Sequence, residues 1–474
     1  MATSTATYVS EELMVVWLLL IVTIVTSYFI QRQRFRWLPP SSSAMLLGIG
    51  AGVASRIAGL AQPLRFSPAA FFYALLPPIV FQAGFALKKK EFFANSGAIL
   101  TYAVLGTFIS ALVFGLCTYL LVLIGLVRRS HLAGSPFVEC LAYGAAISSI
   151  DPVATLAVLA DVEVPPLLFN LVFGESVLND AVAIVLFRSL SDFADKPMGL
   201  GTLPAVMLRF CVLALGSLLI GAGVSLACAF VLKRFDRLDA SGGWLGVITL
   251  RHFFEFAAFL CEMFVFAYLG LQVATMKHGF DFGLLVSGIP LAVASRAANI
   301  GACSRLVNLW RTHKLPRNLQ AMLLAVGLRG AVAYGLIVNL PRSDQPGQTG
   351  IPAIETAALL IVVVTTLGLG SATAPLLRYF DLEGKDDAAL YGLTDMEGLG
   401  DAMAGGGQGG ANRIKLEQPS AFHDWFKALD EEYLKPLFGG RQGSERGRSP
   451  SAQEAGGYAG IQMQQPPPAG GGGE

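Results

Sequence analysis

Apolar residues along this chain gather into long continuous runs rather than alternating with polar ones. The runs fall at 13–30, 43–60, 71–87, 98–127, 137–159, 167–190, 206–232, 253–273, 282–307, 319–340 and 354–377. A helix needs about 20 residues to cross the hydrocarbon of a bilayer. The pattern therefore predicts an all-α polytopic membrane protein with about eleven spans. The first run is no signal peptide by pattern, because Glu11 and Glu12 precede it and Arg32, Arg34 and Arg36 follow it where a small-residue cleavage site would stand.

Composition agrees with lipid as the solvent. The 474 residues are 54% hydrophobic and 14% charged, whereas a soluble domain carries about 25% charged residues. A net charge of +1 gives no basic surface for a nucleic acid. Six cysteines lie scattered in apolar stretches with no CxxC spacing, so they read as small hydrophobes, not zinc ligands or disulfides.

Lys and Arg between the runs set the orientation, since they are retained on the cytoplasmic side. Clusters at Arg32/Arg34/Arg36, Lys88/Lys89/Lys90, Lys233/Arg234/Arg237 and Arg305/Arg311/Lys314/Arg317 share one face if the spans alternate. Arg128 and Arg129 fall on the other. The C-terminus is expected in the cytoplasm. Two regions follow: a transmembrane domain over 1–380 and a cytoplasmic tail over 381–474. The tail is Gly/Pro-rich at its end. Within it, 421–438 spaces Phe422, Trp425, Phe426, Leu429 and Tyr433 three and four apart, which predicts an amphipathic helix. That helix either packs beneath the membrane domain or binds a regulatory protein.

A charge at mid-bilayer is costly enough to persist only when paired or functional. Polar groups interrupt the apolar runs at Ser148 to Thr155, at Gly174 to Asp180, at Ser295-Arg296 and at Gly327 to Gly330. On a helix with about 3.6 residues per turn, Ser176 and Asp180 share a face with Asn179 beside them, and Glu175 points away. Asp180 then faces an ion path, and Glu175 needs a cation inside the protein, for which Arg296 is the candidate. The plainer reading of Glu175 and Arg296 is a buried pair that never touches the transported ion. Asp151-Pro152 and Gly327-Leu328-Arg329-Gly330 break two helices in corresponding positions of the two halves, the best sequence pointer to a secondary transporter's binding site. Asp151 would offset the positive ends of the half-helices and Arg329 the negative ends.

Four stretches resemble the eukaryotic sodium/proton exchangers, and their flanks look most like the intracellular branch. They are Phe71-Phe72-Tyr73-Ala74-Leu75-Leu76-Pro77-Pro78-Ile79, the segment from Ser148 to Thr155, Val172-Phe173-Gly174-Glu175-Ser176-Val177-Leu178-Asn179-Asp180-Ala181, and Gly327-Leu328-Arg329-Gly330-Ala331. The resemblance implies an inverted-repeat cation/proton antiporter fold with two broken crossing helices. It implies that Asp180 binds the cation and the proton in turn, supported by Asn179 and Ser176. Asp151, Pro152 and Thr155 would belong to one broken helix, and Arg329 with Gly327 and Gly330 to the other. Glu175 and Arg296 match a stabilising ion pair, and the stretch with Phe72, Leu76, Pro77 and Pro78 resembles a segment tied to amiloride-type inhibition. A single ionisable carboxylate after Asn179 goes, in that family, with electroneutral one-for-one exchange. The expected ligands are Na⁺ or K⁺ and H⁺, in Golgi, trans-Golgi or endosomal membranes, with a homodimer in lipid and no cofactor.

The chain departs from that pattern between Phe235 and Phe253, where about two spans are missing. Three readings follow: a working antiporter; a non-transporting or regulatory isoform, or an incomplete gene model, of the same family; and an intramembrane enzyme or a channel. An intramembrane protease would need a second catalytic aspartate in a GxGD-like setting or a Ser/His pair, and neither is found. No GxxxxGK[ST] loop marks ATP as the energy source.

Overall fold

The computed structural model describes residues 17–30, 32–33, 38–58, 67–87, 89–128, 135–151, 155–156, 158–159, 162, 164–193, 201–235, 243–276, 278–311, 313–340, 351–384 and 428. Pro152 and nearly all of the predicted tail helix lie outside them.

Helix occupies each of the eleven apolar runs. The helices of these runs are α1 (Trp17–Ile30), α2 (Pro40–Ile57), α3 (Pro68–Ala86), α4 (Ser96–Ile124), α5 (Pro136–Ser148), α6 (Pro166–Ser191), α7 (Thr202–Phe235), α8 (Gly243–Thr275), α9 (Phe282–Trp310), α10 (Arg317–Ala325), α11 (Ala331–Val338) and α12 (Ile351–Tyr379), and a short helix, Lys89–Ala94, lies between α3 and α4. Among the described residues, seven helices are by themselves long and apolar enough to span. The expectation of eleven counts the rest for reasons now visible: α1 is short in its described part, α2 is rich in Ser and Gly, and the fifth and tenth runs are broken. The tenth run is α10 and α11, separated by the non-helical Val326 to Gly330. In the fifth run α5 stops at Ser148, Ser149 to Asp151 are non-helical, and Thr155, Leu156, Val158 and Leu159 are helical again.

Side chains are distributed as lipid requires. Leu112, Leu116, Leu120 and Leu123 of α4 face outward, while Thr107, Ser110 and Thr118 of the same helix are buried. Each of those hydroxyls bonds inside the protein, Thr118 donating to the Phe114 carbonyl at 2.8 Å. Hydrocarbon provides no other partner.

Small residues set the tightest pairing. A Cβ at Gly48 of α2 would strike the Ala267 backbone of α8, and one at Gly270 of α8 would strike the Met45 backbone of α2. Gly48 and Gly52 stand four apart, the spacing that lets two membrane helices approach closely. α3 packs on α8 beside this pair. A second group forms from α4, α5, α6, α9 and the α10/α11 pair. α7 is unlike the rest: an 18-residue window within it has no buried residue, and Leu208, Val212, Leu215, Leu218 and Ile220 are all exposed.

Candidate functional site

The two helix breaks meet. The Asp151 amide donates to the Leu328 carbonyl at 3.0 Å, joining the backbone of one break to the other. Arg329, 1% exposed, turns to the end of α5 and donates to the carbonyls of Ser148 at 2.9 Å and Ser149 at 3.4 Å, the last acceptors of a half-helix with no further turn to bond. Its own backbone is held by α12: the Arg329 amide donates to Thr365 Oγ1, and Thr366 Oγ1 donates to the Arg329 carbonyl.

Arg296 of α9 does the same for the other broken helix. Its guanidinium takes Glu175 of α6 with both terminal nitrogens, Nη2 reaching Oε2 at 3.0 Å, and Nη2 also donates to the Leu323 carbonyl near the end of α10 at 2.8 Å. Both side chains are buried. Gly327 is small for this reason: a Cβ there would press on the Arg296 side chain.

Asp180 sits on the unbroken α6 and reaches the crossing from the side. Ser149, in the extended break, donates its hydroxyl to Asp180 Oδ1 at 2.5 Å. Both border a cavity of about 350 Å³ that Asp151, Gly330 and Ala331 also line. Gly330 precedes α11, and any Cβ on it would collide with the Asp151 carboxyl, so the glycine brings that carboxylate to the positive end of α11.

Of the predicted ion ligands, Asp180 and Asp151 line the cavity. Ser176, Asn179 and Thr155 are buried and do not line it. Neither polar atom of Asn179 has a hydrogen-bond partner among the described residues. From the stretch that resembles the inhibitor segment, Leu76 lines the cavity, together with Phe71, Ile79 and Val80; Phe72, Pro77 and Pro78 do not. A π-helical turn over Phe71–Leu75 shifts the face that this segment presents.

Two contributors escaped the sequence reading. Ser149 is the hydrogen-bond donor to Asp180, although it stands in the quoted motif without a role. Glu262 of α8 lines the same cavity. The carboxylate at 180 is therefore not alone there: Asp151 and Glu262 share the space, and among the described residues no Lys, Arg or His lines it. All six cysteines are free thiols.

Comparison with known proteins fixes the family. The family model described as "Sodium/hydrogen exchanger, transmembrane" matches residues 19–251 and 241–379. The chain belongs to the sodium/hydrogen exchanger family. It is a multi-pass membrane protein. The chain is 32% identical over 485 residues to sodium/hydrogen exchanger 5 of Arabidopsis thaliana, covering 89% of this chain and 92% of that protein. It is 34% identical over 445 residues to sodium/hydrogen exchanger 8 of Macaca fascicularis, covering 89% of this chain and 80% of that one. In fold it matches a sodium proton antiporter from Methanocaldococcus jannaschii with TM-score 0.56 at 15% identity, over 80% of this chain and 100% of the other. The architecture is that of a cation/proton antiporter.

The two matched stretches of the exchanger model overlap at 241–251, within the segment between Phe235 and Phe253 where the sequence pattern departs from the family. The comparison with the Arabidopsis exchanger also runs over 485 residues while using only 89% of a 474-residue chain. That relative therefore carries residues with no counterpart here.

Proposed function

We propose that this chain exchanges Na⁺ or K⁺ for H⁺ by alternating access, with Asp180 as the group that binds cation and proton in turn. The observation that carries the reading is the placement of Asp180: a half-buried carboxylate on an unbroken helix, hydrogen-bonded by Ser149 at the crossing of two broken helices, and open to a cavity. A proton and a monovalent cation compete for one negative charge, so each leaves as the other binds. In this reading only Asp180 trades its cation for a proton, one for one, which makes the cycle electroneutral. Glu175, Arg296 and Arg329 hold the scaffold and do not touch the ion. Asn179 and Ser176 support the face of α6 behind Asp180, and Thr155 lies past the break.

The motif flanks favour an endomembrane location, Golgi to endosome, and the basic clusters favour a cytoplasmic C-terminus. A homodimer in lipid and a regulatory partner at 421–438 complete the reading.

The missing pair favours a second reading, a form of the family that inserts but transports weakly. α7 bears on it, since its exposed apolar face is the one left next to the gap. Reconstituted vesicles with a pH-sensitive dye and an inward Na⁺ or K⁺ gradient test both readings. Alkalinisation that Asp180→Asn abolishes supports exchange. No cation-dependent flux from the native chain removes the exchange reading and leaves the second.

A further inference from the structure

The exchange reading uses only the cavity wall carried by α5, α6 and α11. The lining carried by α2, α3 and α8 has a composition of its own. Glu262 of α8, Ser41 of α2 and Gln82 of α3 line the same cavity as Asp180. α2 and α3 both pack on α8, so the three side chains belong to one piece of structure. Ser41 is 1% exposed, and its Oγ has no hydrogen-bond partner among the described residues. Gln82 Oε1 is buried and equally without one. Buried polar atoms are nearly always satisfied, so two orphaned oxygens on one wall indicate a missing partner. Glu262 interrupts an apolar span, where an acid persists when it is paired or functional. Among the described lining residues there is no Lys, Arg or His, so nothing in the described lining neutralises the three carboxylates of the cavity.

We propose that Glu262, Ser41 and Gln82 form a second station for a monovalent cation, on the part of the cavity lining that α2, α3 and α8 carry. Carboxylate, hydroxyl and amide oxygens are hard donors suited to Na⁺ or K⁺. Among the described residues no three acids, histidines or cysteines converge closely enough to hold a metal ion. The cation is therefore held with part of its water shell, a waiting position and not a cage. The station loads Asp180 by raising the local cation concentration; it neither carries the ion across nor alters the proton count.

The proposal rests on the exchange reading for its purpose, but its test is a binding measurement. Thermal unfolding of the purified full chain in detergent is followed against NaCl or KCl, with choline chloride at equal ionic strength as the blank. The native chain is expected to show two phases of cation-dependent stabilisation. Asp180→Asn keeps the weaker phase, Glu262→Gln removes it, and Ser41→Ala weakens it; Glu262→Asp restores part of it. In vesicles, Glu262→Gln raises the half-saturating cation concentration about tenfold, the scale of one unit charge acting across a partly hydrated space. Loss of all cation-dependent stabilisation in Asp180→Asn, or an unchanged titration in Glu262→Gln, overturns the station. Two binding phases in a native chain that moves no protons would uphold the station and sink the exchange reading instead.

Discussion

Arg296 grips both carboxylate oxygens of Glu175 while the same guanidinium caps the Leu323 carbonyl, so one side chain ties α6, α9 and the broken helix α10 together. Removing either charge strands the other in a buried place, which costs about 3 to 5 kcal/mol. Glu175→Gln and Arg296→Gln are each expected to lower the melting temperature in detergent. The double substitution recovers part of the loss from Glu175→Gln, but not the lost cap on Leu323. Strictly additive losses in the double variant would show that the pair contributes no coupling.

Asp180→Asn is expected to abolish cation-dependent proton flux at normal protein levels, because an amide binds neither ion by charge. Ser149→Ala removes one hydrogen bond to a charged oxygen, an interaction worth about 1.5 to 3 kcal/mol. It should leave flux measurable and shift its pH dependence. Flux unchanged in Asp180→Asn would take this residue out of the mechanism.

Gly48→Val and Gly270→Val force a branched side chain into the backbone of the facing helix. Overpacking of this kind costs about 1 to 3 kcal/mol. Both variants should insert yet melt earlier, whereas Gly216→Val, where a Cβ meets nothing, should melt as the native chain does. Equal melting of all three would mean that the α2/α8 approach is looser than described.

Restoring two spans after Ala240 should increase the initial rate of vesicle alkalinisation over that of the native chain. The exposed face of α7 is apolar and lipid can cover it at little cost, so insertion does not depend on the missing pair. Equal rates from the two chains would show that the short form is a complete transporter.

Much of this was legible in the sequence because hydrocarbon punishes deviation. Apolar runs gave the spans, and a Pro or Gly cluster inside a run gave each break, since a freed backbone group there must find a partner. Glu175 and Arg296 were legible as two charges with no solvent to receive them. Glu262 was missed although the same argument applied, because it is a single letter between Cys261 and Met263 with no Gly or Pro to draw attention to it. Ser41 and Gln82 gave no signal, as a serine or glutamine in a span is usually satisfied by its own helix. The π-helical turn at Phe71–Leu75 was also invisible: it changes which side chains of α3 face the cavity without changing the apolar pattern.

The bond between the Asp151 amide and the Leu328 carbonyl bears on how the protein changes access. Each break supplies a partner for the other, so pulling them apart inside the membrane would strand backbone groups at a cost of several kcal/mol apiece. On the exchange reading both broken helices would then travel together, with Asp180 beside them on α6. On the exchange reading, the plane of slip then lies on the other side of the cavity, where Phe71, Val80 and Phe266 line it.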